Sequence, residues 1–322
     1  METRALGRSG LKISGLGLGT MTWGNGTDAD EAAAILVAFH DAGGTFVDTS
    51  VSYGSGKSER ILGELIADVV PRSDLVIASK AGITRTGDEV HIDASRGALL
   101  RRLDESLTNL GVDYLDLWQV HTVDPTVPAE ETMSALDAAV SSGKARYAGV
   151  SNYSGWRTAQ AATWQRAVPG RAPVISNQVR YSLLDRGIER EVVPACTDLG
   201  IGILPFSPLG GGVLTGKYRD GVPADSRGAA QGRNLASYSE PRAVGIVEAV
   251  AIAADGLATS PITVALSWLR GRPAVTAPIV GARTLGQLTA ALQSLSVELP
   301  LEIRLALDDV SAPVVGYPED LR

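Results

Sequence analysis

The sequence predicts a (β/α)8 barrel, and three observations carry that expectation. Short apolar runs of strand length alternate with segments of helical period almost to the end of the chain. Eight such runs are present. The 322 residues exceed the ~250 that such a barrel commonly needs, which leaves room for additions. In order, the strands are expected over GLGLGT (15–20), TFVDTS (45–50), LVIASK (75–80), YLDLWQVH (114–121), ARYAGVSN (145–152), PVISNQV (173–179), IGILPFS (201–207) and TAPIVGA (276–282). Helices are expected over 28–42, 57–69, 94–110, 130–142, 155–167, 187–199 and 284–295, several entered through Ser, Thr or Asp residues able to cap them. TRALGRSGLKIS, ahead of the first strand, is expected to form a small hairpin closing the barrel floor. Residues 209–240 are rich in Gly, Pro, Asp and Arg. A loop well beyond ~15 residues in a compact domain is usually a lid or disordered, so a long lid loop is expected after strand seven. Helical stretches at 242–254 and 261–270 precede the last strand. No repeat or interdomain linker interrupts the pattern, and residues 1–322 are read as one domain.

Composition narrows the function classes. With 44% hydrophobic and 20% charged residues the chain has an ordinary globular balance. Its net charge is −7, scattered without a basic run. That argues against nucleic acid or an anionic membrane as partner and favours a small molecule. No basic segment leads into an apolar stretch at the start, and no run of ~18 apolar residues occurs. A cytoplasmic location is the expectation, and nothing in the sequence requires an oligomer. The single cysteine, Cys196 in VVPACTDLGI, reads as a buried small residue. Three histidines, with His40 in a helical stretch and His91 in a polar one, give no metal-ligand cluster.

Two stretches imitate a phosphate loop and fail. GSGKS (54–58) has Val51 where G-x-x-x-x-G-K-[ST] needs its first glycine, and GGVLTGKY (211–218) has Tyr218 where the metal-binding hydroxyl belongs. A dinucleotide fingerprint is also missing, because GLGLGT aligns Gly15 and Gly17 but places Thr20 at the third glycine position.

In a barrel of this kind the active site gathers where strands meet their following loops. Asp48, Lys80 and His121 stand at or near the ends of consecutive strands, and Tyr53 follows Asp48 by five positions. Each has a bland reading alone: a loop-capping Asp, a solvated Lys, a structural His, a packed Tyr. Together on one rim they make a site. A tyrosine is a poor acid near neutral pH, but an adjacent ammonium favours the phenolate and eases proton loss. Lys80 is expected to supply that charge, Asp48 to hold Lys80, and His121 to orient a carbonyl. Hydride attack on a carbonyl builds negative charge on oxygen, which such a set stabilises.

The stretches VDTSVSYGSGKSERILGE, LVIASK, LWQVHTVD, GVSNYS, NQVRYSLLDR, PFSPLGGGVLTGKY and PIVGARTLGQL together resemble the aldo-keto reductase family, in order and over nearly the whole chain. The resemblance implies an NADP(H)-dependent reductase with Asp48, Tyr53, Lys80 and His121 as its catalytic tetrad. It implies that Ser151, Asn152 and Gln178 hold the nicotinamide carboxamide and that Phe206 lies against the ring. Ser207, Pro208, Leu209, Gly212 and Lys217 would follow the pyrophosphate. Gly281, Arg283 and Gln287 would line the adenosine end, Arg283 reading the 2′-phosphate beside a helix capped by Thr284. Ala290 and Ala291 depart from the acidic residue and Asn often found near adenine. Met21, Trp23, Trp118 and the C-terminal PVVGYPEDLR are the expected substrate-pocket residues, with core packing as the alternative for Trp118. In GSGKSE, Gly54 and Gly56 are expected to turn the chain, Ser58 to cap the next helix and Glu59 to sit in its first turn. Three rivals stand beside the carbonyl-reductase reading. They are a regulatory protein that binds the cofactor with little turnover, a glycosidase built on Asp48 and Asp124, and a metal hydrolase recruiting His121 and Asp124.

Overall fold

A computed structural model of the chain describes residues 1–86, 89–219, 221, 238, 240–314 and 316–317. The strands are β1 (Thr3–Ala5), β2 (Lys12–Ser14), β3 (Gly17–Gly19), β4 (Phe46–Asp48), β5 (Val76–Ala81), β6 (Ile83–Thr86), β7 (Glu89–Ile92), β8 (Leu115–Val120), β9 (Ala145–Ser151), β10 (Val174–Arg180), β11 (Gly202–Phe206) and β12 (Ile279–Val280). The helices are α1 (Ala29–Asp41), α2 (Lys57–Asp68), α3 (Arg96–Leu110), α4 (Ala129–Ser141), α5 (Gly155–Arg166), α6 (Val192–Leu199), α7 (Pro241–Gly256), α8 (Pro261–Arg270), α9 (Leu285–Leu292) and α10 (Leu301–Val310). Eight parallel strands form one sheet in the order β11-β10-β9-β8-β5-β4-β3-β12. Its two edges meet at a parallel bridge between Ile203 and Val275, where Ile203 N donates to Ala274 O and Thr276 N to Ile203 O. The fold is a (β/α)8 barrel. Among the described residues no single helix is long and apolar enough to cross a membrane.

Sequence chemistry accounts for most boundaries. Parallel strands are buried on both faces and therefore read as apolar runs. Asp28, Ser95, Ser154, Ser260 and Thr284 each cap a helix by accepting a hydrogen bond from the backbone N–H three residues on. The N-terminal hairpin pairs Thr3 with Ser14 and Ala5 with Lys12. Its Leu6, Leu11 and Ile13 pack with Phe46, Ala78, Leu117, Ile175 and Leu204 in one buried cluster, which seals the floor and leaves polar chemistry to the opposite rim.

Several elements differ from expectation. The polar stretch holding His91 is an antiparallel hairpin, β6 with β7, pairing Thr84 with His91; four-residue strands with exposed charges carry too little alternation to be read. The helix expected at 187–199 is a short 3-10 turn at Gly187–Glu189 followed by α6. Helix α10 was not expected, because Leu301 and Leu305 face outward at 52% and 56% exposure and blur its apolar stripe. It is held from inside: Arg186 donates to Asp308 O and Ser311 Oγ, and Arg272 reaches both Asp308 carboxylate oxygens at 2.7 and 3.0 Å. Most of the lid expected over 209–240 lies outside the described residues. Its start is a run of 3-10 turns at Gly210–Thr215, and near its end Tyr238 Oη donates to Asp185 Oδ2 at 2.6 Å.

Strand β10 contains a device that the site depends on. Val174 pairs with Ala148 and Asn177 with Val150, so three steps on β10 match two on β9. This is a β-bulge at Ile175 and Ser176, and it reverses the facing of everything beyond it. Ile175 lies in the barrel-floor cluster, Asn177 turns outward to Tyr153 O and Thr158 Oγ1, and Gln178 turns inward. Gly149 opposes the bulge, and a Cβ there would lie 2.2 Å from Ser176 Oγ and 3.1 Å from Gln119 Cγ. Gly149→Ala is therefore expected to destabilise the fold by roughly 1–3 kcal/mol through overpacking. Adding Ser176→Ala should recover most of the loss in a thermal melt. A melt unchanged by Gly149→Ala would mean that the bulge yields freely.

Candidate active site

The rim opposite the hairpin carries a linked set of buried polar groups. Lys80, with no exposed surface, donates from Nζ to Asp48 Oδ2 at 2.6 Å, to Thr49 O at 2.7 Å and to Tyr53 Oη at 3.3 Å. Gln178 Nε2 holds the other Asp48 oxygen, Oδ1, at 2.7 Å. Neighbouring parallel strands set this arrangement: Asp48 pairs with Ala78, two residues before Lys80, and His121 follows directly on β8 with its N–H on Ala81 O. Tyr53 is delivered by a tight 3-10 turn in which Gly54, Ser55 and Gly56 take φ of 55°, 55° and 82°. Glycine suits two of those positions because it lacks Cβ. The Tyr53 and His121 rings meet edge to face at 6.1 Å, and Lys80 Nζ lies 4.9 Å from the Tyr53 ring centre.

The electrostatics follow from dryness. Burial would depress the Lys80 ammonium, but the Asp48 carboxylate and then the Tyr53 hydroxyl outweigh it and hold Lys80 above its ordinary range. For Tyr53 the balance differs from the sequence expectation. Loss of hydration is the largest influence and raises its pKa, and the opposing Lys80 charge does not reverse this. Tyr53 thus keeps its proton at neutral pH. His121 is pushed down to about 3, first by burial and then by the positive charges of Lys80 and Arg85, so its imidazole is neutral.

Beside this set the ends of β9 and β10 are joined. Ser151 Oγ donates to Gln178 O at 2.8 Å, and Asn152 Nδ2 donates to His121 O at 3.0 Å and to Ser151 Oγ at 3.2 Å. Asn152 and Ser207 both hold positive φ, 58° and 52°, and such backbone in non-glycine residues clusters at functional sites. Beyond β11, Gly210, Gly211 and Gly212 run at φ 56°, 67° and 95°. Open space surrounds the missing Cβ of Gly211, and Lys217 Nζ stands 3.1 Å from that of Gly212. A bare glycine backbone under an ammonium fits a phosphate-bearing group, so the residues present fit a dinucleotide.

The protein-family model for the aldo/keto reductase family matches residues 15–311. The chain belongs to the aldo/keto reductase family. It is similar to the uncharacterized oxidoreductase YrpG of Bacillus subtilis (strain 168), 35% identical over 96% of this chain and 96% of that protein. It is 33% identical to L-glyceraldehyde 3-phosphate reductase of Escherichia coli (strain K12), over 92% of this chain and 88% of that protein. It is also 34% identical to a probable voltage-gated potassium channel subunit beta of Oryza sativa subsp. japonica, over 99% of this chain and 98% of that protein. Family membership makes carbonyl reduction with a nicotinamide cofactor the general activity.

Some residues of this aldo-keto reductase stand where they were not expected. Trp118 is a correction to the pocket: its register partner Ser79 bonds Glu59 on α2, so Trp118 lies on the outer face of the sheet and is fully buried among core residues. Trp23 also has no exposed surface, whereas Met21 is 50% exposed. Ser58 does not cap α2, whose N-cap is Gly56; its Oγ donates to Thr20 O at 2.8 Å instead. Glu59 is buried, accepting from Ser79 Oγ and Asn109 Nδ2, and burial raises its pKa. At the α9 entry, Gln287 Oε1 accepts from Arg283 N, and Leu285 N donates to the Glu31 carboxylate. Side chains thus already engage two backbone N–H groups at this entry. Asp124, the second acid of the glycosidase rival and the acid of the hydrolase rival, has Oδ1 on Thr126 and Oδ2 on Ala94 N. Sequence reasoning passed over Ser50 and Thr49; alternation from Asp48 was the available signal for Ser50.

Proposed function

We propose that this protein reduces aldehyde or ketone carbonyls to alcohols with NADP(H), Tyr53 acting as general acid. The supporting observation is the dry chain Asp48–Lys80–Tyr53, at 2.6 and 3.3 Å. A bound nicotinamide cofactor supplies the hydride. Tyr53 Oη holds the proton that the carbonyl oxygen takes up, and the neighbouring ammonium stabilises the phenolate left behind. Asp48, fixed by Gln178, keeps Lys80 charged and aimed. His121, neutral, donates a hydrogen bond that orients the carbonyl. Ser151, Asn152 and Gln178 border the carboxamide position, with Phe206 against the ring. Ser207, Pro208, Leu209, Gly212 and Lys217 serve the pyrophosphate, and Gly281, Arg283 and Gln287 the adenosine end. The test is an NADPH fluorescence titration followed by a carbonyl panel. Oxidation of NADPH by one or more carbonyls is expected. Tight binding with no turnover on any carbonyl would favour a regulatory role instead, a reading to which the rice relative's name lends weight.

With the α9 entry N–H groups engaged, the 2′-phosphate falls to the Arg283 guanidinium. Losing a charged hydrogen bond of ~1.5–3 kcal/mol corresponds to roughly 10- to 150-fold in affinity. Arg283→Ala is expected to weaken NADPH by about that factor, to change NADH little and to leave hydride transfer at saturating cofactor almost untouched. Equal weakening of both cofactors in a titration would remove Arg283 from phosphate recognition.

A further inference from the structure

Hairpin β6–β7 is rooted beside the tetrad. It leaves β5 through Gly82, at φ 108°, where a Cβ would lie 3.9 Å from His121 N, and Asp93 N closes it on Gly82 O at 3.1 Å. Paired residues of a hairpin share a face, so Thr84 and His91 look one way, and Arg85 with Val90 and Ile83 with Ile92 look the other. The first face is taken. Thr84 Oγ1 accepts from Arg102 on α3, and Glu89 Oε2 on that side lies 3.4 Å from His91 Nε2. The second face looks away from α3 and over the mouth, where the positive charge of Arg85 acts on both Tyr53 and His121. Around Arg85 this face is apolar, with Val90 and Ile92 47% and 44% exposed.

An exposed guanidinium among aliphatic side chains suits a ligand that is apolar along its length and anionic at one end. The cofactor phosphates are not that anion. In the ring closed between Ile203 and Val275, β5 and β11 stand four places apart among eight strands, so the hairpin faces the glycine run and Lys217 from the opposite side of the mouth. Charge points the same way. The chain carries −7 overall, but at this rim Lys80 and Asp48 cancel as a pair, His121 is neutral, and Arg85 adds one positive charge. We propose that Arg85 is a specificity-determining residue that recognises a carboxylate or phosphate at the far end of the carbonyl substrate, so that anionic aldehydes and ketones are preferred to neutral ones of similar shape. This preference in turnover rests on the carbonyl-reductase reading; anion binding at the rim does not.

Two matched pairs of aldehydes test it. Rates with NADPH are compared for para-carboxybenzaldehyde against methyl para-formylbenzoate, and for para-formylphenyl phosphate against para-methoxybenzaldehyde. Binding of the same compounds to the NADP+ complex, where no hydride is available, is read by calorimetry. The anionic member of at least one pair is expected to show the higher kcat/KM and the tighter binding, and the pair with the larger ratio identifies the anion. Losing one charged hydrogen bond at an exposed guanidinium predicts that Arg85→Gln lowers that anionic-to-neutral ratio by about 10-fold, through KM more than kcat. Arg85→Lys should keep part of the ratio, Arg85→Glu should invert it, and about 1 M salt should shrink it in the parent. A parent that treats both members of each pair alike overturns the proposal. So does an Arg85→Gln protein that keeps the parent ratio, or one that loses NADPH affinity by the same factor. Failure to reduce any aldehyde, while the anions still bind more tightly and Arg85→Gln removes the difference, would instead defeat the reductase reading and leave the anion site standing.

Discussion

Tyr53→Phe is expected to lower the rate of hydride transfer to a carbonyl by about 10²- to 10⁴-fold, the usual contribution of a positioned general acid, while NADPH affinity stays nearly constant. The hydroxyl is the one atom removed, and in the structure it touches Lys80 Nζ at 3.3 Å. Because burial keeps Tyr53 protonated despite the ammonium beside it, the acid is loaded across the neutral range and discharges only when charge grows on the carbonyl oxygen. Stopped-flow traces with an unchanged transfer rate in the variant would remove Tyr53 from that role.

Lys80→Met combines two losses. Removing the ammonium takes away the charge that stabilises a Tyr53 phenolate, so carbonyl reduction should fall about as far as in Tyr53→Phe. It also leaves the Asp48 carboxylate, 2% exposed, facing a thioether. Breaking a buried pair by deleting one partner costs about 3–5 kcal/mol. At ~2.1 cal/mol/K of unfolding entropy per residue, that loss corresponds to a melting temperature lower by roughly 4–7 °C. The double variant Asp48→Asn, Lys80→Met removes the stranded charge, so its melt should recover part of the loss while its activity does not. A Lys80→Met protein that melts like the parent would mean that Asp48 finds another partner or takes up a proton.

Barrel strands were legible because burial on both faces writes them as apolar runs, and the residues at their ends could be counted out from there. Asp48, Lys80 and His121 were found in that way. What stayed hidden depended on contacts between distant segments. The outward turn of Trp118 follows from its pairing with Ser79, and the occupied entry of α9 from Glu31, 254 positions before Leu285; neither leaves a local trace. Tyr53 shows the limit for electrostatics. Neighbouring charge was visible in the sequence, but the degree of burial that outweighs it belongs to the fold. Helix α10 escaped because its outward leucines blur its apolar stripe and its anchors, Arg186 and Arg272, come from other segments of the chain.

The extra residue in β10 also bears on how such a barrel can change over generations. Loops at the mouth can lengthen or shorten while the strands stay put. In β10 a single codon deleted at 175 or 176 would leave one residue between Val174 and Asn177, so the ladder to β9 would become regular while Asn177 stayed opposite Val150 and Gln178 opposite Ser151. A codon added to that window would instead send Gln178 into the helical layer and Asn177 toward Asp48. A scan of the gene should therefore find this short window more tolerant of a one-codon deletion than of a one-codon insertion.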